Sequence, residues 1–288
     1  MPGPGAGFTI IDRGDVPIAV VVDPGIEPGV LFVHATGLCK ETWEPVISAL
    51  SSATQRPLTI AMDQRCHGDS GRASHPVVWT SLGQDVLGVV GEHRGMVGVG
   101  HSSGAAALLI AEVEQPGTFS ALVMIEPIVF PPPHRRLEDT PLIAATSKRR
   151  TTFSSRKEAA ENFRDKGPFA TWGEEALEAY IEGGLRADGE GTWVLKCDPA
   201  DEAEFYRGAF EQTTWDELPE ISCPVVLMAG AGSDTHTGQY LDALTARFAD
   251  VQLLVIDGAS HFVPMEVPEI VAAVIDAVRD GRRVPALG

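Results

Sequence analysis

The densest run of chemistry-bearing residues is Gly100-His101-Ser102-Ser103-Gly104. A serine hydroxyl is a weak nucleophile until a base takes its proton. The G-x-S-x-G spacing suits a serine on a sharp strand-to-helix turn, where crowding demands small residues on both sides. The apolar run 96–100 leads into the motif, and Ala105, Ala106 and Ala107 follow it. This predicts a strand, a strained turn carrying Ser102, and a helix packed close to the sheet. Ser102 then points its hydroxyl beyond the sheet edge. The backbone N–H of Ser103, at a helix N-terminus, becomes a donor to a developing oxyanion. A glycine-rich turn with a capping serine is the plainer alternative, but the strand–turn–helix context favours the nucleophile.

The base comes from eight histidines. His261 stands in Asp257-Gly258-Ala259-Ser260-His261-Phe262, just after the last apolar run, in a loop that can reach the serine. Its imidazole needs a carboxylate to fix its tautomer and balance its charge. Two candidates end apolar runs. Glu126 closes Leu122-Val123-Met124-Ile125-Glu126, 24 positions after Ser102, and Asp234 follows 227–233. Each is a charge leaving an apolar strand and so needs a partner. His261 can serve only one of them. His75, His93 and His236 are read as surface residues.

The elements that position these residues alternate in type. Apolar runs at 16–22, 30–34, 58–62, 96–100 and 121–125 read as strands. Between them, 42–50, 81–93 and 103–114 carry apolar residues at helical spacing. The pattern is α/β with a mostly parallel sheet. From Pro127 to about Pro219 the alternation stops. Pro131-Pro132-Pro133 bars a regular helix there. Helix starts follow at Ser155 with Glu158, Thr171 with Glu174, and Asp198-Pro199. This stretch reads as a helical insertion. Strand and helix patterns resume at 224–229, 237–248, 251–256 and 268–279. The expected organisation is 1–126 and 219–288 as two parts of one core, with 127–218 as a lid.

Composition narrows the partners. The net charge is −18, which repels nucleic acid and anionic membrane surfaces. No apolar run reaches 18 residues, and 1–7 lacks the basic and apolar regions of a signal peptide. Four cysteines, with no C-x-x-C, suggest a reduced, cytoplasmic setting without a disulfide framework. No H-E-x-x-H or clustered Cys/His spacing supports a metal, and Ser103 spoils a dinucleotide fingerprint at 98–103. Neither a metal nor a cofactor is expected.

These motifs resemble the α/β-hydrolase superfamily over nearly the whole chain. The resemblance rests on 100–104, His34-Ala35-Thr36-Gly37, Asp63-Gln64-Arg65-Cys66-His67-Gly68-Asp69-Ser70 and the closing 260–268. It implies an α/β-hydrolase fold with an inserted helical lid. It also implies that Thr36 supplies the second oxyanion N–H, although Ala35 stands where the family usually has glycine. Cys66 likewise replaces a usual glycine, and Asp63, Arg65 and His67 read as scaffolding. Most members place the acid after the strand that follows the lid, which matches Asp234. A subgroup, including haloalkane dehalogenases and fungal hydrolases of resorcylic macrolactones, places a carboxylate one strand earlier. Glu126-Pro127 resembles that subgroup, so Glu126 is preferred.

Serine at the nucleophile position implies acyl transfer on a small ester or lactone through an acyl-enzyme. The lid aromatics suggest an apolar pocket, with Phe130 and Trp193 as first candidates for substrate contact. A macrolactone substrate, a cofactor-free non-hydrolytic reaction and a ligand-capturing receptor are the rival readings. A homodimer is compatible with all of them.

Overall fold

The computed structural model describes residues 6–12, 14–50, 56–138 and 140–284. Most of the N-terminal stretch assessed for a signal, residues 1–5, lies outside them. In chain order the strands are β1 (Gly7–Ile11), β2 (Ile18–Asp23), β3 (Ile26–Val33), β4 (Pro57–Met62), β5 (Met96–His101), β6 (Phe119–Ile125), β7 (Thr152–Phe153), β8 (Leu185–Ala187), β9 (Trp193–Leu195), β10 (Val225–Gly230) and β11 (Val251–Ile256). The helices are α1 (Glu44–Ala49), α2 (Thr80–Val90), α3 (Ser103–Glu114), α4 (Pro141–Thr146), α5 (Arg156–Phe163), α6 (Glu174–Gly184), α7 (Pro199–Gly208), α8 (Thr214–Glu217), α9 (Gly238–Thr245), α10 (Val263–Glu266) and α11 (Pro268–Arg279).

Eight strands form one sheet in the order β1-β2-β4-β3-β5-β6-β10-β11. From β4 through β11 every neighbouring pair is parallel, while β1–β2 and β2–β4 are antiparallel. Strands β4, β5 and β10 are buried along their whole length, because helices cover both faces of the sheet. Such strands read as unbroken apolar runs, which is why they were visible in the sequence. On one face α2 and α3 pack closely. A Cβ on Gly83 of α2 would stand 2.4 Å from Ile110 Cγ2 of α3. The other face is covered by α1 and α11, with Trp43 and Ile275 fully buried beneath them.

The insertion between β6 and β10, expected as a helical lid, also contains strands. Among the described residues it holds five α-helices, α4 to α8, and a three-stranded antiparallel sheet, β7-β9-β8. Those strands are two or three residues long, too short to show a period of two. β1 has no counterpart among the apolar runs, because its side chains are mostly exposed and no buried alternation marks it. Of the helix starts, Asp198 caps α7 by accepting from Ala200 N at 2.9 Å. Ser155 caps α5 by accepting from Glu158 N at 3.1 Å. Thr171 caps nothing. It ends a 3-10 turn, its hydroxyl donates to Glu266 with Pro168 O 3.2 Å away, and Gly173 precedes α6 instead.

The insertion's own core gathers Phe153, Phe163, Trp172 and Tyr180 with Leu38, which follows β3, and Met265, which follows β11. It therefore rests on loops at the C-terminal ends of the parallel strands. Its last part is different: Phe205, Trp215 and Leu218 join the core beside α3.

Candidate active site

Ser102 sits between β5 and α3 with φ 56° and ψ −116°, a conformation that side chains other than glycine rarely adopt. The turn holds because backbone crowds it from two sides. A Cβ on Gly100 would lie 2.5 Å from Ala105 Cα, and one on Gly104 would lie 2.2 Å from Val33 O. Both contacts are shorter than a carbon atom tolerates, so the small flanking residues are a steric requirement. Ser102 N donates to Ile125 O at 2.9 Å, while Ser102 O accepts from Ala106 N and Ile128 N. The serine is thus tied to β6 as well as to its own helix. Ser103 opens α3, so its N–H has no partner within the helix.

Glu126 follows β6 with φ 50° and is fully buried. Its Oε1 accepts from Gly230 N at 2.9 Å. Its Oε2 accepts from Ser233 Oγ at 2.7 Å and Thr235 Oγ1 at 3.0 Å. The same oxygen lies 2.8 Å from His261 Nδ1 and 2.8 Å from His236 Nδ1. Burial by itself would raise this carboxyl. The hydrogen bonds and charges of His236 and His261 outweigh burial and hold it well below the usual carboxylate range. Asp234 is exposed, its neighbours Ser233 and Thr235 turn inward to Glu126, and His261 pairs with Glu126.

His261 lies beyond β11, partly exposed, with Nδ1 also 3.3 Å from Thr235 Oγ1. Its hydrogen bonds run to Glu126 and Thr235 and not to Ser102 Oγ. Its backbone oxygen accepts from His101 Nε2 at 2.9 Å, so the residue before the serine anchors the loop of the histidine. Glu266 braces that loop from the other side, accepting from Ser260 N and Ser260 Oγ, both at 2.6 Å. Glu266 also takes the Thr171 hydroxyl, and Gly173 N donates to Met265 O at 2.9 Å. The insertion is therefore fastened to the His261 loop.

The Thr36 loop is held by histidines. His34 Nδ1 donates to Ala35 O at 2.8 Å, and Gly37 N donates to His67 Nε2 at 2.9 Å. Gln64 Nε2 donates to His34 O at 2.7 Å and to Ser103 Oγ at 2.9 Å, joining this loop to the start of α3. Burial pushes His34 down to about 4, and His67 and His101 down to about 3, so all three are neutral. Asp63 accepts from Lys40 N and Lys40 Nζ, and Arg65 grips Asp85 through two hydrogen bonds of 2.6 and 2.7 Å. The scaffolding reading of Asp63, Arg65 and His67 describes where these side chains go.

Phe130 stacks on Phe210 at 4.0 Å and lies 5.8 Å from Tyr240. Trp193 lies on β9 under the Arg156 guanidinium, 4.2 Å from its ring centroid. The His261 ring has Phe262 at 5.2 Å, and Phe262 in turn lies 5.5 Å from Trp172. His75 and His93 are exposed as expected, but His236 is not a surface residue. It is buried against Glu126, because the turn after β10 sends Asp234 out and His236 in. A histidine two positions past a candidate acid was the available signal. Glu126, His236 and His261 bring their donor atoms within 4.8 Å of one another. The 2.8 Å N–O separations are hydrogen-bond lengths. Around a tetrahedral ion with bonds of about 2.0–2.1 Å they would open to roughly 3.4 Å.

Residues 30–274 match the model of the alpha/beta hydrolase family. The chain belongs to that family. The chain is 25% identical over 279 residues to the peroxisomal membrane protein LPX1 of Saccharomyces cerevisiae, covering 84% of this chain and 72% of that protein. With esterase YbfF of Escherichia coli it shares 25% over 229 residues, 76% of this chain and 80% of the esterase. With 2-(acetamidomethylene)succinate hydrolase of Mesorhizobium japonicum it shares 26% over 265 residues, 90% of each. A solved E-2-(acetamidomethylene)succinate hydrolase superposes with a TM-score of 0.81 over 96% of this chain and 99% of that one, at 23% identity. The solved yeast hydrolase gives 0.79 over 99% and 89%, at 20% identity. At those identities the superpositions speak for the fold. Among the described residues no helix is long and apolar enough to cross a membrane.

Proposed function

We propose that this alpha/beta hydrolase is a serine hydrolase that opens a carboxylic ester or lactone through an acyl-enzyme. The observation that carries the reading is the strained backbone of Ser102 beside a Glu126–His261 pair 2.8 Å apart. Glu126 holds the proton of His261 on Nδ1, which leaves Nε2 free as a base. In this mechanism the partly exposed ring turns Nε2 towards the Ser102 hydroxyl. Ser102 Oγ then attacks the carbonyl carbon while His261 takes its proton. The carbonyl oxygen gains a negative charge, which the N–H groups of Thr36 and Ser103 receive. The intermediate collapses, the alkoxide leaves with the proton from His261, and Ser102 remains acylated. Water, deprotonated by the same nitrogen, releases the acid.

Phe262, whose ring stands 5.2 Å from that of His261, is added to Phe130 and Trp193 as a candidate for the substrate wall. Glu126 at the end of β6 also supports a lactone as substrate, through the resemblance to macrolactone hydrolases. In a lactone the leaving alkoxide stays tethered, so ring opening adds one water without losing a fragment.

The test is p-nitrophenyl butyrate turnover by the wild type and Ser102→Ala, with a lactone panel read by mass spectrometry. The expected result is a p-nitrophenol burst in the wild type and a loss of at least about a thousandfold in Ser102→Ala. Equal rates in the two proteins would sink the reading.

A further inference from the structure

Gln64 stands between the scaffolding residues Asp63 and Arg65, and the proposed mechanism gives it no part. It is 1% exposed. Its amide nitrogen carries two hydrogens. One goes to His34 O at 2.7 Å and the other to Ser103 Oγ at 2.9 Å. Its Oε1 is buried and has no hydrogen-bond partner among the described residues. Turning the amide over would not relieve that oxygen, because His34 O can only accept. An unpaired buried acceptor costs free energy. The side chain thus gives up one hydrogen bond to hold two particular acceptors.

Those acceptors flank the proposed oxyanion hole. In the sheet β4, β3 and β5 are consecutive neighbours, and Met62, Val33 and Gly100 lie side by side. The chain leaves all three strands at the same end. Gln64 comes two residues after Met62, His34 directly after Val33, and Ser103 three after Gly100. Neighbouring strands lie about 4.7–4.9 Å apart. A side chain of this length, rooted beyond β4, can therefore cross the end of β3 to the start of α3. The crossing is short because α3 already crowds β3: a Cβ on Gly104 would stand 2.5 Å from His34 O. Among the described residues neither Thr36 N nor Ser103 N donates to a protein acceptor. Both N–H groups are free for a ligand atom, and the segments that carry them are tied to one amide.

We propose that Gln64 is a positioning residue of this site, a brace that sets the spacing of the Thr36 and Ser103 N–H groups. The inference rests on the assignment of those two groups as the oxyanion donors. A donor lowers the barrier only where it meets the charge that develops on the carbonyl oxygen. The two donors stand on separate segments, one after β3 and one after β5, so their spacing needs a link between the segments. His67 steadies the Thr36 loop through Gly37 N. Gln64 adds the link from that loop to α3.

The test compares the wild type, Gln64→Met and Ser103→Ala on p-nitrophenyl butyrate and on an aliphatic trifluoromethyl ketone. Ser102 Oγ adds to the carbonyl carbon of that ketone, His261 takes the proton, and the carbonyl oxygen keeps the electron pair as an oxyanion. Its Ki therefore reads the oxyanion hole without turnover. Gln64→Met removes both hydrogen bonds and should lower kcat by about 10–100-fold, with KM within about threefold. Ser103→Ala keeps the N–H, removes one end of the brace and should lower kcat by about three- to tenfold. In each variant Ki should rise by the factor by which kcat/KM falls. In the double variant the loss should match that of Gln64→Met within about twofold, because a single brace has been removed. A merely structural Gln64 would lower the melting temperature and the active fraction with Ki unchanged, and that result overturns the proposal. Additive losses in the double variant overturn it too. So does Ser103→Ala with wild-type kcat and Ki, an outcome that stays readable where Gln64→Met folds poorly. A Ser102→Ala protein that still turns over the ester defeats the serine reading itself. An inhibitor that needs Ser102 but ignores Gln64 defeats the brace alone.

Discussion

Cys66, Ser102 and Glu126 are the non-glycine residues with positive φ among those described, and they follow β4, β5 and β6 in turn. Such a backbone costs on the order of 1–3 kcal/mol per residue and persists only where the surroundings enforce it. At Glu126 the enforcement is visible: its N–H donates to Met228 O, and its carboxylate gathers donors from the turn after β10. Replacing it with Gln places an NH2 where four donors already point, so at least one contact becomes donor against donor. We expect Glu126→Gln to lower kcat/KM on p-nitrophenyl butyrate by about 10³–10⁴-fold with the fold intact by circular dichroism. Asp234→Asn should stay within about twofold. A collapse in Asp234→Asn would reverse the assignment. In the sequence these two carboxylates look alike, since each ends an apolar strand. What separates them is the turn after β10, where the hydroxyls of Ser233 and Thr235 and the ring of His236 turn in and Asp234 turns out. The Glu126 carboxylate that this turn meets is brought there by the pairing of β10 with β6, strands about a hundred positions apart.

At the scale of elements, the parallel strands and α3 were legible because burial on all sides leaves a continuous apolar record. Ten successive residues of α3, from Ser103 to Glu112, are buried. The caps of α5 and α7 were legible because a capping side chain acts on its own next turn. Thr171 fits the same four-residue pattern and fails. The 3-10 turn before it, and Glu266 from another part of the chain, claim its hydroxyl. The turn between β5 and α3 gives the sharpest element-level prediction. In Gly104→Ala the new methyl would meet Val33 O at 2.2 Å and push β3 away from α3. Overpacking of this kind costs about 1–3 kcal/mol, a fall of several degrees in Tm. The displacement also moves Ser103 N–H and the loop of Thr36, so kcat should fall by about tenfold or more while KM stays near the wild type. Gly7→Ala, where a Cβ meets nothing within 4 Å, is the control and should change neither. An unchanged kcat in a destabilised Gly104→Ala would separate the turn from the chemistry.

Across the whole molecule, the buried histidines link the loops around the site to acid stability. His34, His67 and His101 each carry a loop by accepting or donating as a neutral ring. In the unfolded chain each takes a proton near pH 6.5. In the folded protein burial delays that proton until about 4 for His34 and about 3 for His67 and His101. Between those values the unfolded state binds more protons, so stability falls as the pH falls. At pH 5 each ring withdraws about 2 kcal/mol, and three together withdraw about 6, comparable to the net stability of a domain. Two effects oppose this. Burial raises the carboxyls of Asp63 and Glu202, which favours the folded state in acid. Acidification also relieves the net charge of −18. Most carboxylates remain ionised at pH 5, so the histidines dominate there. We expect the urea midpoint to fall markedly between pH 7 and pH 5. We expect His101→Asn, which removes one ring that the unfolded chain could protonate, to shrink that fall by about a third. An unchanged fall in His101→Asn would mean that this ring accepts its proton in the folded state. The loop of His261 would then have to be held by something other than a neutral imidazole.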